Sequence, residues 1–255
     1  MHFILLNLFM LVGGIAGGLL SSIASMASLA SYPVLLMSGV PPLYANVTND
    51  AALIWTGIGS TAASLKELHG HWHRTLLLSL FTTIGSAIGC WLLLAFPSKV
   101  FTKVVPFFIA FSGVMILVSD HGKKEPEAND SLPIKLLWLA GLLIMGMYSG
   151  YFGAASGVVV LIVLTYMEKK ENLLVVNAMK NVVCGFANAT AFFIYLFTSR
   201  IYWDWAILMA VGMLIGGWVG PRLLRHLNSH KVKIFIALLA FIQAGYYFYT
   251  AYLAH

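Results

Sequence analysis

The chain has 255 residues, of which 60% are hydrophobic and only 9% are charged, whereas a soluble domain carries about 25% charged residues. This composition excludes a soluble globular protein and predicts an all-α polytopic membrane protein, because apolar runs of about 20 residues cross a bilayer as helices. The net charge of +6 does not indicate a nucleic-acid partner, because the basic residues lie in short loops between spans, where they report orientation.

Apolar segments follow one another from end to end of the chain. They fall near residues 3–40, 43–65, 75–96, 101–119, 133–166, 173–198, 203–225 and 232–253. The long polar interruption DHGKKEPEANDSL is charged and has no periodicity, which is typical of a linker. We therefore predict a first transmembrane repeat at 1–119, a cytoplasmic linker at 120–132 and a second transmembrane repeat at 133–255.

The two predicted halves share residues in the same order. Gly14 and Gly18 match Gly146 and Gly150 at an offset of 132, Asn46 matches Asn177 at 131, and Gly85, Gly89 and Trp91 match Gly212, Gly216 and Trp218 at 127. An offset that drifts only where loops lie is typical of a duplicated unit. The glycine pairs, spaced four apart, also predict close contacts between helices.

The first segment of each half is too long for one span and is rich in small residues. Residues 3–40 contain GGIAGGLLSSIASMAS, and residues 133–166 contain GMYSGYFGAASG. Glycine and serine in such density weaken a helix, and irregular backbone at membrane depth survives only where protein or a water-filled cavity satisfies it. Each segment is therefore predicted to be a broken, re-entrant hairpin that returns to its own side.

The distribution of basic residues supports this topology. With two re-entrant segments, the Lys and Arg residues outside the spans divide eleven against three between the two sides, as the positive-inside rule requires. Each half then crosses three times, so the second half is inverted relative to the first and both termini face outward. Inverted repeats with discontinuous helices are typical of secondary transporters.

Each half also places polar residues at positions i, i+3 and i+4 of an apolar helix. The sets are Asn46, Asn49 and Asp50 in the first half and Asn177, Lys180 and Asn181 in the second. Such positions share a helix face, and a lysine with nearby amides suits an oxyanion. We predict that both sets bind substrate, and that Ser21, Ser22, Ser25 and Ser156 of the broken segments line the same path.

Other interpretations of these residues stay open at this point. Lys180 follows the predicted helix start by seven residues, about 10 Å, so its side chain could reach the headgroups. The asparagines could only fix helix packing, and the serines likewise. Asp50 could carry a proton, act as a counter-charge, pair with Lys180 or cap a helix.

The sequence lacks the residues that catalysis or metal binding would need. All the histidines fall in loops or at the termini, so none is available as a base at membrane depth. Cys90 and Cys184 both lie inside apolar spans, which argues against an extracellular disulfide framework. We therefore predict no enzyme activity, no metal and no cofactor.

In their order along the chain, several motifs resemble those of the TauE/SafE family of sulfite exporters, also called TSUP. They are the turn Val40, Pro41 and Pro42, the pair Asn46 and Asn49, the segment GMYSGYFGAASG, the run NAMKN at 177–181, the residues Trp203, Asp204 and Trp205, and GGWVGPRLLRHL at 216–227. The resemblance implies a carrier for sulfur-containing anions in a bacterial inner membrane. Ser21, Ser22, Ser25 and Ser28 depart from it, because the family often has glycine in that region.

The function predicted from these observations is secondary transport of a small sulfur-containing anion, such as sulfite or a sulfonate, across the bacterial inner membrane. Its partners are the small anion, the lipid bilayer and, where transport is driven, a coupled proton or other ion. An anion channel or a non-catalytic membrane subunit are the alternatives. Neither alternative predicts counter-transport by the protein.

Overall fold

The structure is a computed structural model that describes residues 2–96, 98–118, 132–153, 156–168, 171–224 and 229–253. All regular secondary structure in these ranges is helical, which confirms the predicted all-α fold. Four of the described segments are long and apolar enough to cross a membrane: Leu5–Ile23, Trp72–Ala95, Leu173–Thr198 and Trp203–Leu224. This is the pattern of a multi-pass membrane protein.

The helices of the described ranges follow the predicted apolar segments closely. They are α1 (His2–Ala24), α2 (Ser28–Met37), α3 (Pro42–Ala63), α4 (Leu65–Leu68), α5 (Trp72–Ala95), α6 (Ser98–Val118), α7 (Leu132–Tyr151), α8 (Ser156–Met167), α9 (Leu173–Thr198), α10 (Trp203–Leu224) and α11 (Ser229–Tyr252). The predicted linker at 120–132 lies outside the described residues, except for its last residue, which begins α7.

The first broken segment folds into α1 and α2, which run in opposite directions. Gly13 of α1 faces the side chain of Val34 in α2, and Gly17 faces Ser31. The chain therefore reverses direction as predicted. The break falls at residues 25–27, where Ser25 has a φ of 62°, and not within the glycine run, which is helical. That run stays helical because another helix packs closely along it, which offsets the weak propensity of glycine.

The second broken segment folds into α7 and α8 with the same reversal. Gly141 of α7 lies near the side chain of Val163 in α8. Between the two helices Gly153 has a φ of 74°, a left-handed conformation that glycine adopts without a steric penalty. Gly153 lies two residues after Tyr151, where α7 ends. The chain therefore turns at the end of α7.

Glycines bring α1 of the first half into backbone contact with α10 of the second. A methyl group added at Gly14 would lie 2.5 Å from the carbonyl oxygen of Met209, closer than carbon and oxygen can approach without a shift. The glycines at this crossing are Gly14, Gly18, Gly212 and Gly216. The predicted close helix contact is confirmed here.

Glycines make the corresponding contact between α7 and α5. A methyl group added at Gly146 would clash with the carbonyl oxygen of Thr82, and one at Gly89 would clash with that of Met147. The glycines at this second crossing are Gly85, Gly89, Gly146 and Gly150. They are the same residues that align the two halves in the sequence.

The main contacts between helices correspond when the two halves are exchanged. Helix α1 packs on α10 and α7 on α5; α3 packs on α10 and α9 on α5. At the centre α3 packs on α9, and α6 packs on α11. A duplicated unit predicts such an arrangement. Both the duplication and the inversion of one half relative to the other stay predictions from the sequence.

Two ion pairs join the start of α5 to the turn between α8 and α9. Arg74 Nε lies 2.8 Å from Glu168 Oε1, and His71 Nε2 lies 3.1 Å from Glu171 Oε1. The hydrogen bond with Glu171 raises the pKa of His71 above its ordinary value of 6.5. The folded protein thus holds this proton more tightly than the unfolded chain, so the pair stabilises the fold below that value and loses its contribution as the pH rises through the raised pKa.

We expect His71→Gln to lower the thermal midpoint of the detergent-solubilised protein between about pH 4.3, where glutamate ionises, and about pH 6.5. The same substitution should have little effect at alkaline pH, where His71 is already neutral in the wild type. The effect is small because solvent screens a partly exposed pair. Arg74→Gln is the control, since arginine stays charged; an equal shift for His71→Gln at both pH values would contradict the assignment.

Candidate functional site

The polar faces of α3 and α9 meet at the centre of the molecule. A methyl group added at Gly57 in α3 would lie 3.0 Å from the Cα atom of Gly185 in α9, so the two helices cross with almost no side chain between them. Helix α3 begins with Pro42 at its first position, and Asn172 caps α9 by accepting a hydrogen bond from the Val175 N–H at 3.0 Å. Proline at the first helical position and asparagine at the N-cap both favour the start of a helix, so the beginnings of α3 and α9 follow from the sequence.

Lys180 is buried against the broken end of α1. Its ammonium group donates to the hydroxyl of Ser25 at 2.8 Å and to the carbonyl oxygen of Ser21 at 3.4 Å. The residue is only 1% exposed, so its side chain does not extend to the headgroups. The last carbonyl groups of a helix have no partner within it and carry partial negative charge, which explains why a cation is stable there.

Asn46 and Asn177 make the same kind of contact in the two halves. The amide of Asn177 donates to the carbonyl oxygen of Ser22, near the end of α1, at 3.3 Å. The amide of Asn46 donates to the carbonyl oxygen of Tyr151, at the end of α7, at 3.4 Å. Each asparagine therefore satisfies the end of the first helix of the opposite half.

Asn49 holds α2 in place. Its amide nitrogen donates to the hydroxyl of Ser28 at 3.2 Å, and its amide oxygen accepts a hydrogen bond from Ser31. Both serines lie in the first turn of α2. The side chain of Asn49 is thus committed to packing within its own half.

A cavity lies between α3, α9 and the two breaks. Its volume is about 40 Å³, counted as the space open to the centre of a water molecule, and one water needs about 10–15 Å³ on that measure. Its described lining residues are Ser21, Ser25, Ala27, Ser28, Leu53, Thr56, Gly57, Ser60, Gly153, Ser156, Gly157, Lys180, Asn181, Cys184, Gly185 and Asn188. The cavity has room for a few waters or one small ion.

Hydrogen-bond donors without partners border this cavity. The amide nitrogen of Asn181 and the hydroxyl of Thr56 are buried and make no hydrogen bond within the described part of the protein. Lys180 has three N–H groups and donates two hydrogen bonds. No carboxylate belongs to the described lining. A cluster of a cation, an amide donor and hydroxyls without a nearby negative charge is suited to an anion.

The structure brings only part of the predicted site to the cavity. Among the predicted residues, Ser21, Ser25, Ser156, Lys180 and Asn181 line it, whereas Ser22, Asn46, Asn49, Asp50 and Asn177 do not. The two triplets are therefore not both at this cavity, and substrate binding by the predicted residues stays a prediction. The amides are directed to helix ends and to serines of α2, and Ser22 donates to the carbonyl oxygen of Gly18 at 2.8 Å.

Asp50 lies behind the turn that borders the cavity. One carboxyl oxygen is 3.9 Å from the point where a Cβ atom on Gly153 would stand, and the other accepts a hydrogen bond from Asn46 at 3.5 Å. The partners of Lys180 are Ser21 and Ser25. The interpretation of Asp50 and Lys180 as a buried pair is thus wrong.

Thr56 and Ser60 are lining residues that the sequence analysis missed. They follow Asn49 by seven and eleven residues, which places all three on one face of a helix with 3.6 residues per turn. Both residues could therefore have been found from the sequence, because they lie about two and three turns after Asn49 on the same face of α3.

Comparisons with known proteins give one consistent result. The family model described as sulfite exporter TauE/SafE matches residues 9–247. A probable membrane transporter protein from Haemophilus influenzae is 23% identical over 91% of this chain and 90% of its own length. The probable membrane transporter protein ORF9 from Sinorhizobium sp. is 24% identical over 92% and 90%, and YfcA from Escherichia coli, also described as a probable membrane transporter protein, is 21% identical over 98% and 91%. No solved structure shows a significant match.

Proposed function

The chain belongs to the sulfite exporter TauE/SafE family and is a membrane transporter, and from that premise we propose that it carries a small sulfur oxyanion through the cavity beside Lys180. The observation that carries the proposal is the set of donors at this cavity. Lys180 supplies the charge, while the free amide N–H groups of Asn181 and the hydroxyl of Thr56 supply directed hydrogen bonds.

The size of the cavity supports a compact anion. The cavity volume of about 40 Å³ suits an ion of four or five heavy atoms, such as sulfite or sulfate, better than a long organosulfonate. Lysine is a compact charge on a flexible stem, so it tolerates oxyanions of different geometry. We therefore expect selection by size and charge more than by shape.

The burial of Lys180 and the close contact between α3 and α9 support a carrier over an open channel. Lys180 is 1% exposed, and the contact between Gly57 and Gly185 closes the cavity toward the outer groove between α3 and α9. A smooth contact between two helices permits rotation of one against the other, as alternating access requires. We propose that the two halves are inverted repeats in the bacterial inner membrane that rock about this contact.

Purified protein in proteoliposomes tests the proposal. We expect saturable uptake of radiolabelled sulfite, inhibited strongly by sulfate or thiosulfate and weakly by taurine or sulfoacetate. Vesicles loaded with unlabelled sulfite should take up label faster, because a carrier exchanges its substrate. Flux that does not saturate and shows no exchange would favour a channel, and the absence of any flux would favour a non-catalytic membrane subunit.

A further inference from the structure

We propose that Asp50 binds the proton that this carrier moves together with its anion, at a site separate from the cavity beside Lys180. The proposal rests on the proposed function, since a proton is coupled to an anion only if an anion is carried. The anion and the proton then need separate binding sites. The structure has a buried base, Lys180, on α9 and a buried acid, Asp50, on α3.

The first step is the isolation of the Asp50 carboxyl group from positive charge. Asp50 is 2% exposed. Its hydrogen-bond partner is the amide of Asn46 at 3.5 Å, which is the limit of a weak bond. In the part of the chain that the structure describes, no Lys, Arg or His side chain forms an ion pair with it. An ionised carboxylate buried in this way is strongly disfavoured, so the closed protein holds Asp50 as the neutral acid.

The second step concerns the titratable groups around Asp50. Among the described residues, the titratable groups on which a charge at Asp50 would act are Cys90 of α5 and Tyr195 of α9. Tyr195 donates its hydroxyl proton to the carbonyl oxygen of Gly150 at 2.6 Å. A thiol and a phenol cannot become cations, so neither can compensate a carboxylate. Only a proton neutralises Asp50 in the closed state.

The third step is the difference between the two halves. The residue that corresponds to Asp50 is Asn181, and the residue that corresponds to Lys180 is Asn49, at an offset of 131. The acid therefore lies beside the break of α7, whereas the base lies beside the break of α1. One half carries the charge that attracts an anion, and the other carries the charge that attracts a proton.

The two sites share one wall. Gly153 lines the cavity, and its backbone lies against the Asp50 carboxyl group. A displacement of Gly153 that opens the cavity also brings water to Asp50. An O–H bond then forms at the carboxylate on one side of the membrane with a proton from hydronium, and the same bond breaks on the other side; no electrons are exchanged. Closure favours the state with the anion at Lys180 and the proton at Asp50, so both cross in the same direction.

Infrared spectroscopy tests the protonation state independently of transport. Changing Asp120, Asp130 and Asp204 to asparagine leaves Asp50 as the only aspartate of the chain. With aspartate labelled by carbon-13 at the carboxyl carbon, we expect a protonated-carboxyl band at neutral pH that shifts on labelling and is lost after Asp50→Asn. A labelled band of the ionised carboxylate alone would overturn the proposal.

Transport of thiosulfate tests the coupling, because this anion takes up no proton near neutral pH. With the membrane potential held at zero by potassium and valinomycin, one proton per anion raises the accumulation ratio about tenfold for each pH unit of gradient. Asp50→Asn should make accumulation independent of the gradient while exchange remains measurable. The exposed Asp204→Asn is the matched control and should respond as the wild type does.

The outcomes separate the two proposals. No uptake of thiosulfate or sulfite by the wild type would refute the proposed function, while the infrared result would still report on Asp50. Uptake by Asp50→Asn that still follows the pH gradient would refute the proton site alone.

Discussion

Lys180→Met should lower the initial rate of sulfite uptake into proteoliposomes by about 10- to 100-fold. The estimate follows from the loss of a charged hydrogen bond, about 1.5–3 kcal/mol, at about 1.4 kcal/mol for each factor of ten. Methionine is apolar and unbranched, and it removes a buried charge, so the amount of folded protein should not fall. Lys66→Met, on the exposed surface of α4, removes a lysine outside the site and should keep the full rate.

Two further variants test whether Lys180 binds the anion or forms an ion pair with Asp50. Lys180→Arg should restore only part of the rate, because a planar guanidinium needs more room than the cavity offers. Asp50→Asn should not rescue Lys180→Met, because Lys180 contacts Ser21 and Ser25 rather than Asp50. Wild-type uptake kinetics in Lys180→Met would remove this residue from the mechanism, and rescue by the double substitution would restore the buried pair.

Gly89→Ala should strongly lower the thermal midpoint of the solubilised protein. The added carbon clashes with the carbonyl oxygen of Met147 in α7, and the backbone cannot move aside as a side chain can. Overpacking of this kind costs about 1–3 kcal/mol or more. Gly216→Ala, at the corresponding crossing of α1 and α10, meets the carbonyl oxygen of Ile15 and should have a similar effect.

Gly245→Ala provides the matched control for both substitutions. Gly245 is helical, and a methyl group there has nothing within 4 Å. Alanine is favoured over glycine in a helix by about 1 kcal/mol, so this variant should be neutral or slightly stabilised. Thermal unfolding monitored by size-exclusion chromatography compares the variants. Equal midpoints for Gly89→Ala and Gly245→Ala would mean that the helices do not approach as closely as the structure has them.

The sequence predicted the features that depend on spacing along one helix. The glycine pairs and the two broken segments follow from residues a few positions apart, whereas the burial of Lys180 was one of two interpretations that the sequence left open. It did not predict which side chains line the cavity, because that depends on where each helix ends. The amide of Asn177 is directed to Ser22 because α1 ends two residues later, at Ala24, and the sequence predicted a break in this segment without its exact residue.

The residue at which the first segment breaks could not be predicted from the sequence, for a physical reason. Glycine-rich sequence weakens an isolated helix, but here it permits the backbone of α10 to approach α1, and the packing more than offsets the weak propensity. The chain instead breaks at Ser25, a residue that adopts a left-handed conformation at a cost. Its hydroxyl accepts a hydrogen bond from Lys180, so the conformation depends on a residue far away in sequence.

The exchange of asparagines between the halves bears on how the protein is made. While the ribosome has synthesised only the first half, the carbonyl groups of Ser22 and Ser21 lack the amide of Asn177 and the ammonium of Lys180, which are translated 155 and 159 residues later. The first hairpin is thus left unfinished in the bilayer until its counterpart is inserted.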